Sequence, residues 1–356
     1  MVKHTVQSLR THAIKRSLFR PTTLRRAVDR LGFVQADPIQ APARAQDLIL
    51  RHRVKGYRAG DLERRYPALA LEEDVLYAYG FVSHEVGRLT RTRDEKGLSK
   101  LEARVLAAVL ERGDTHPREL EQQFGSKRVK NPWGGFSKAT KRALEGLHRR
   151  GLLRVARRDK GIRIYAPAPE GADTRSPSER FRELVLIAAN IFAPAARTRI
   201  VTALAPVRRR IPIDGRAARA VVADLIDTGE LVAATVDDVC FVWPAGRVPR
   251  TPGEPTVRFL APFDPLVWDR LRFEQFWGWS YRFEAYTPKA KRVRGYYAMP
   301  LLWGEEVIGW ANLDVVDEQL DVELGFVGKR PRSRSFNAQL DAEIERMRAF
   351  LGLADE

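Results

Sequence analysis

Between two amphipathic stretches, residues 30–57 read RLGFVQADPIQAPARAQDLILRHRVKGY and contain Gln35-Ala36-Asp37-Pro38. On an extended backbone, residues two apart project to the same side, so Gln35 and Asp37 can face one centre. There the carboxylate could stabilise developing positive charge or hold a water, and the amide could orient that water. A plainer role competes. Asp37 is a good helix N-cap, Pro38 suits a first helical position and Gln40 falls three residues on, as in a capping box. Pro42 weighs against that helix, because it would remove an N–H within its first turns. A start nearer Ala41-Pro42 fits better and leaves residues 35–40 as an irregular connector.

Other chemistries lack their residues. The six histidines, His4, His12, His52, His84, His116 and His148, are scattered without Cys pairs or an HExxH spacing, so no metal site is expected. No GxxxxGK[ST] or strand-linked GxGxxG is present, which disfavours ATP and dinucleotide chemistry and leaves no expected cofactor. Asp314, Asp317, Asp321 and Glu323 are close in sequence, but strand alternation and a turn explain them. The single cysteine, Cys240, permits no internal disulfide, and no apolar run reaches the length of a membrane span. With no secretory signal in MVKHTVQSLR, the expectation is a cytoplasmic, nucleoid-associated protein.

The composition is that of a globular protein, 44% hydrophobic and 30% charged over 356 residues. Lys+Arg number 62 against 45 Asp+Glu, and the net charge of +17 points to nucleic acid. Its distribution sharpens this. After a helical or winged-helix-like region at 1–97 that bears the Gln-Ala-Asp stretch, residues 98–168 read as three helices, SKLEARVLAAVLERG, HPRELEQQFG and SKATKRALEGLHRRG (the last capped by Ser137). Two strands, LLRVARR and IRIYAPA, follow around Asp159-Lys160-Gly161, giving the winged helix-turn-helix order. The third helix carries Lys138, Lys141, Arg142 and Arg149, and the hairpin carries Arg154, Arg157, Arg158 and Lys160. These cations are the expected DNA contacts.

A Pro-, Gly- and Ser-rich linker at 169–179 precedes a second such unit at 178–245, whose third helix is less basic and whose hairpin tip, Asp237-Asp238, is acidic. From 255 to 356 the texture becomes β. TVRFLAPFDPLVWD, WGWSYRFEAYTP, RGYYAMPLLW and EVIGWANLDVVDEQLDVELGFVG alternate apolar and polar residues and predict a small barrel or curved sheet before a last helix. Five of the seven tryptophans lie here, mostly as expected core, with one or two available to face bases or sugars. The fold class is therefore α+β, tandem winged helix-turn-helix motifs with a C-terminal β-barrel-like domain.

VQADPIQAPARAQDLILRHRVKGY, the hairpin-bearing middle and LAPFDPLVWDR…FWGWSYRFEAYTPKAKRVRGYYAMPLLW together resemble the winged-helix DNA glycosylases of the AlkZ/YcaQ type, over essentially the whole chain. The resemblance implies a C-shaped DNA clamp that excises N7-alkylated purines and unhooks interstrand crosslinks. One branch of that family carries Gln-x-Gln and the crosslink-specialised YcaQ (AlkX) branch carries Gln-x-Asp, as Gln35-Ala36-Asp37 does here. By that resemblance Gln35 and Asp37 are the catalytic pair. The partner is double-stranded DNA bearing alkylated purines or crosslinks, with the chain acting as a monomer. The chemistry suits the residues, since an N7-alkylated purine leaves as a neutral base and help is needed at the oxocarbenium-like sugar. With no lysine beside the pair in sequence, a Schiff-base lyase step is not suggested. A non-enzymatic tandem winged-helix regulator is the competing expectation, and a nuclease a more remote one.

Overall fold

The chain begins with the helix Val6–Ser17, closed at its start by a Thr5–Ser8 capping box, and the helix Leu24–Leu31, ended by Gly32 at φ 80°. This computed structural model describes residues 3–130, 134–171, 173–246 and 255–353. Strand Val34–Gln35 then enters an antiparallel sheet in which Tyr79–Ser83 is central and Leu71–Val75 lies on its other side. The purely helical reading of the first hundred residues is thus corrected. LYAYGFVS is aromatic and β-branched, and a Cβ at Gly80 would fall 2.3 Å from the Val34 carbonyl oxygen, so the strands meet closely only at glycine.

Strand Leu71–Val75 carries three consecutive carboxylates, Glu72, Glu73 and Asp74, all buried. Burial of a charge requires pairing, and each finds a different arginine. Arg91, just after helix His84–Thr90, meets Glu72 at 2.7 Å; Arg158 meets Glu73 at 2.7 Å; Arg210 meets Asp74 at 2.8 Å. One strand thereby fastens elements from two later units.

Residues 98–168 form the helices Lys100–Arg112, Pro117–Phe124 and Ala139–Arg149, then the antiparallel strands Leu153–Asp159 and Ile162–Pro167. Val105, Val109, Leu120, Leu144, Leu147 and Val155 give this unit a core of its own. A short hairpin, Arg128–Lys130 with Phe136–Lys138, stands between its second and third helices. It also displaces the expected cap: Lys138, not Ser137, precedes the third helix, and the Ala139 N–H donates to the Lys127 carbonyl at 2.8 Å.

The next unit follows a similar order. Helix Pro177–Ile191 is followed by Arg197–Ala203, the short Ala205–Arg208 and Gly215–Asp227, then the paired strands Leu231–Val236 and Val239–Pro244. Its core is shared, taking Phe33, Leu76, Tyr77 and Leu89 from the N-terminal region.

The C-terminal sheet runs Val257–Phe259, Met299–Trp303, Glu306–Val316, Gln319–Phe326, antiparallel throughout and open-edged. It is a half-barrel rather than a closed one. WGWSYRFEAYTP supplies no strand to it. Arg270–Trp277 is a helix capped by Asp269 and ended by Gly278 at φ 71°, and the following chain is irregular and joins no strand. Its alternation comes from Trp277, Trp279 and Tyr281 stacking in turn around Phe273, at 4.7, 5.0 and 5.5 Å, while the two indole N–H groups donate to Glu305 and Val307 carbonyls. Helix Arg334–Leu351 closes the sheet, and Val34, Leu48, Phe259, Leu301, Phe336 and Met347 share one core. The N-terminal region and the half-barrel are therefore built on each other. Arg53 and Asp264, both fully buried, cross that junction in a bidentate pair at 2.8 and 3.0 Å. Among the described residues no helix is long and apolar enough to cross a membrane.

Candidate active site and nucleic-acid interface

Gln35 is the last residue of its strand, opposite Gly80, and Ala36 still donates its N–H to the Tyr79 carbonyl at 2.9 Å. The chain then leaves the sheet. Asp37 Oδ1 accepts the Ile39 N–H at 2.9 Å, closing a turn on itself, and the next helix, Ala45–Leu50, starts only after Arg44. Asp37 is thus a turn-former in an irregular connector and caps no helix.

Two features set the pair apart from a simple turn. Gln35 is buried, and its Oε1 has no hydrogen-bond partner; an unsatisfied buried acceptor costs about 1–3 kcal/mol. Asp37 is half-buried, and among the described residues no cation pairs with it. Burial raises its pKa above the ordinary aspartate value, and the Ile39 N–H offsets part of that rise. The result is a half-buried carboxylate without a paired cation, two residues along the chain from a buried amide oxygen without a hydrogen-bond donor.

The connector meets the basic unit directly. A cleft of about 930 Å³ is lined by Pro38 on one side and by Arg118, Lys138, Lys141, Arg163 and Tyr165 on the other. At the hairpin tip, a Cβ on Gly161 would lie 3.1 Å from the Arg44 guanidinium, so this turn rests against the connector. Arg44 itself pairs with Glu63.

The expected DNA contacts divide. Lys138, Lys141 and Arg158 line the cleft, whereas Arg142, Arg149, Arg154, Arg157 and Lys160 do not. Lys141, Arg149 and Lys160 are exposed. Lys138 pairs with Glu121 at 2.5 Å, Arg142 donates to the Lys130 carbonyl at 2.8 Å, and Arg157 stands 3.5 Å from Asp114. Arg154 is half-buried. Arg158 is a correction. It donates twice to buried Glu73, at 2.8 and 2.7 Å, so its charge holds the hairpin to the N-terminal sheet and is not offered to a partner. His148 adds to that joint, with Nε2 3.0 Å from the Glu73 carbonyl oxygen.

Sequence reasoning overlooked the segment YTPKAKRVRGYY, although its interleaving of Lys289, Lys291 and Arg292 with tyrosines was a readable signal. Glu284 holds it in shape by accepting the N–H groups of Val293, Arg294 and Gly295. Tyr286, Val293 and Tyr296 are exposed, whereas none of the five C-terminal tryptophans is. Among the described residues, the exposed aromatic side chains are Tyr286 and Tyr296 on this segment and Phe136, which lines the basic cleft. Lys289 and Arg292 line a second pocket of about 310 Å³, which reaches the connector at Ala41. Among the described residues, no three His, Cys, Asp or Glu side chains are grouped so as to hold a metal ion.

Two comparisons bear on what this arrangement serves. The family described as DNA glycosylase AlkZ-like matches residues 28–350. The fold is similar to that of the Streptomyces sahachiroi DNA glycosylase AlkZ over 99% of this chain and 98% of that chain, with a TM-score of 0.67 and 14% identity. At that identity the structural likeness concerns the fold alone.

Proposed function

Because the chain belongs to the AlkZ-like DNA glycosylase family, we propose that it excises N7-alkylated purines from duplex DNA and unhooks interstrand crosslinks, with Gln35 and Asp37 as its catalytic pair. The observation that carries this is the half-buried Asp37, with no paired cation, two residues from the buried and unpartnered Oε1 of Gln35, at the start of a connector whose Pro38 lines a basic cleft.

In this mechanism the alkylated base needs no general acid, since its positive charge disappears as the N-glycosidic bond breaks. Asp37 faces the cation that develops on the sugar. A carboxylate about 4 Å away, at an effective dielectric near 20, contributes on the order of 4 kcal/mol, roughly a thousandfold in rate. The same carboxylate accepts a proton from the attacking water, which Gln35 orients. The three helices and hairpin of residues 98–168 support a winged-helix reading in which Lys141, Arg149 and Lys160 bind phosphates, and Lys289 and Arg292 approach from the half-barrel. An open cleft suits a crosslinked guanine, which stays tied to the opposite strand and cannot enter an enclosed pocket.

The test is incubation of defined duplexes carrying N7-methylguanine or a nitrogen-mustard N7-guanine crosslink, with EDTA present. Base release and unhooking without a borohydride-trapped protein–DNA adduct are expected from a monofunctional glycosylase. Tight binding of these duplexes with no release would favour a non-enzymatic DNA-binding protein. A trapped adduct would instead indicate a lyase.

A further inference from the structure

We propose that Tyr297 is a positioning residue of this reaction, its hydroxyl fixing the attacking water between Asp37 and Gln35. The inference rests on the reading of Asp37 above. Tyr297 is 4% exposed, and its hydroxyl is buried with no hydrogen-bond partner. Several other buried tyrosines are satisfied within the chain. Buried Tyr57 donates to Asp47, Tyr66 to Glu73 and Tyr281 to the Ala298 carbonyl. A buried hydroxyl left alone costs about 1–3 kcal/mol, so tyrosine rather than phenylalanine at this place points to a partner outside the chain.

The ring cannot swing away to find one. It stands edge-on to Phe283 at 5.3 Å and to Phe263 at 6.5 Å, in the cluster against which Ala36, Ile39 and Ala41 of the connector pack. The pocket beside it is lined by Ala41, Tyr297, Lys289, Arg292, Asp314 and Glu323, and at about 310 Å³ it exceeds the roughly 30 Å³ share of one water. Burial pushes the phenol pKa well up, and the negative charge of Asp37 adds to that rise, which keeps the hydroxyl protonated.

These groups complete a water's hydrogen bonds. The water accepts from Tyr297 O–H and donates one proton to Asp37 and the other to the orphan Gln35 Oε1. Its remaining lone pair faces the anomeric carbon. On attack, the new C–O bond forms, the base has left with the N-glycosidic electron pair, and the water's proton passes to Asp37.

Tyr297→Phe keeps the ring packing and removes only the hydroxyl. In single-turnover base release, we expect a fall of about 10- to 100-fold with unchanged DNA affinity. In the Asp37→Asn background the same change should cost less than about twofold, because no ionised acceptor remains to position. The Asp37 carboxyl, followed by carbon-13 NMR, should titrate at higher pH in Tyr297→Phe. Release within about twofold of wild type, or an equal loss in both backgrounds, overturns the proposal. If wild type releases no base, the glycosylase reading of Asp37 fails by itself, and an Asp37 titration unmoved by Tyr297→Phe overturns the role of Tyr297 separately.

Discussion

Asp37 has to be ionised to meet a cation, and burial makes ionisation harder in the folded protein. The sign follows directly. kcat/KM for base release should rise with pH as Asp37 loses its proton, with a midpoint above the usual aspartate value of about 3.9, and level off beyond it. Asp37→Asn should lack that limb, and a wild-type profile flat down to pH 4 would contradict the assignment. The sequence carried part of this. Pro42 already argued against a helix starting at Asp37, and the turn at Ile39 agrees with a connector. What it could not carry was burial, because the strand that pairs with Gln35 and the cluster against which Ala36 and Ile39 pack, with Tyr297 in it, come from distant parts of the chain. Arg158 shows the same blindness in reverse. It stands in a basic run, and its partner Glu73 lies 85 residues away.

Among the elements, strand Leu71–Val75 holds the most consequential set of contacts. Glu73 joins the hairpin through Arg158, accepts the hydroxyls of Tyr66 and Tyr79, and lies 3.8 Å from Arg163. Its pKa is lowered despite burial, with Arg158 the main opposing cause. Glu73→Ala would remove both hydrogen bonds of Arg158 and leave it only Glu63, at 3.6 Å, a loss of up to about 3–5 kcal/mol. A large fall in the urea midpoint is expected, and much of it should be recovered in Glu73→Leu with Arg158→Met. An unchanged midpoint in Glu73→Ala would show that the joint contributes little. This strand was hard to read because three adjacent acids look like a solvated turn, and only the tertiary arrangement supplies their arginines. The helices were legible because caps are local: Ser99 with Glu102, and Ser176 with Glu179, close capping boxes within four residues. The aromatic run at 277–281 misled for the opposite reason, since a helix end and the irregular chain after it, packed around Phe273, show the period of a strand without a partner strand.

For the molecule as a whole, the 62 Lys and Arg overstate what is offered to DNA, since Arg53, Arg91, Arg158 and Arg210 are spent on internal carboxylates, although such pairs leave the net charge of +17 unchanged. The free cations stand on two faces that the fold brings to the connector, Lys141 on the basic unit and Lys289 beside the half-barrel. Lys141→Ala and Lys289→Ala should each lower the slope of log affinity against log salt by about 1, while Arg158→Ala should lower stability and leave the slope unchanged. Equal slopes for all three would place the DNA elsewhere. The helix, helix, helix, hairpin order was readable from periodicity and turns. The sharing of cores was not, because Leu48 and Phe259 give no sign in sequence that they pack in one cluster.

The most direct measurement is the single-turnover rate of N7-methylguanine release from a duplex saturated with protein, for wild type and Asp37→Asn, with DNA binding measured alongside. Asp37→Asn is expected to bind as wild type does and to release base on the order of a thousandfold more slowly. Equal rates would remove Asp37 from the chemistry and return it to the turn it closes with Ile39.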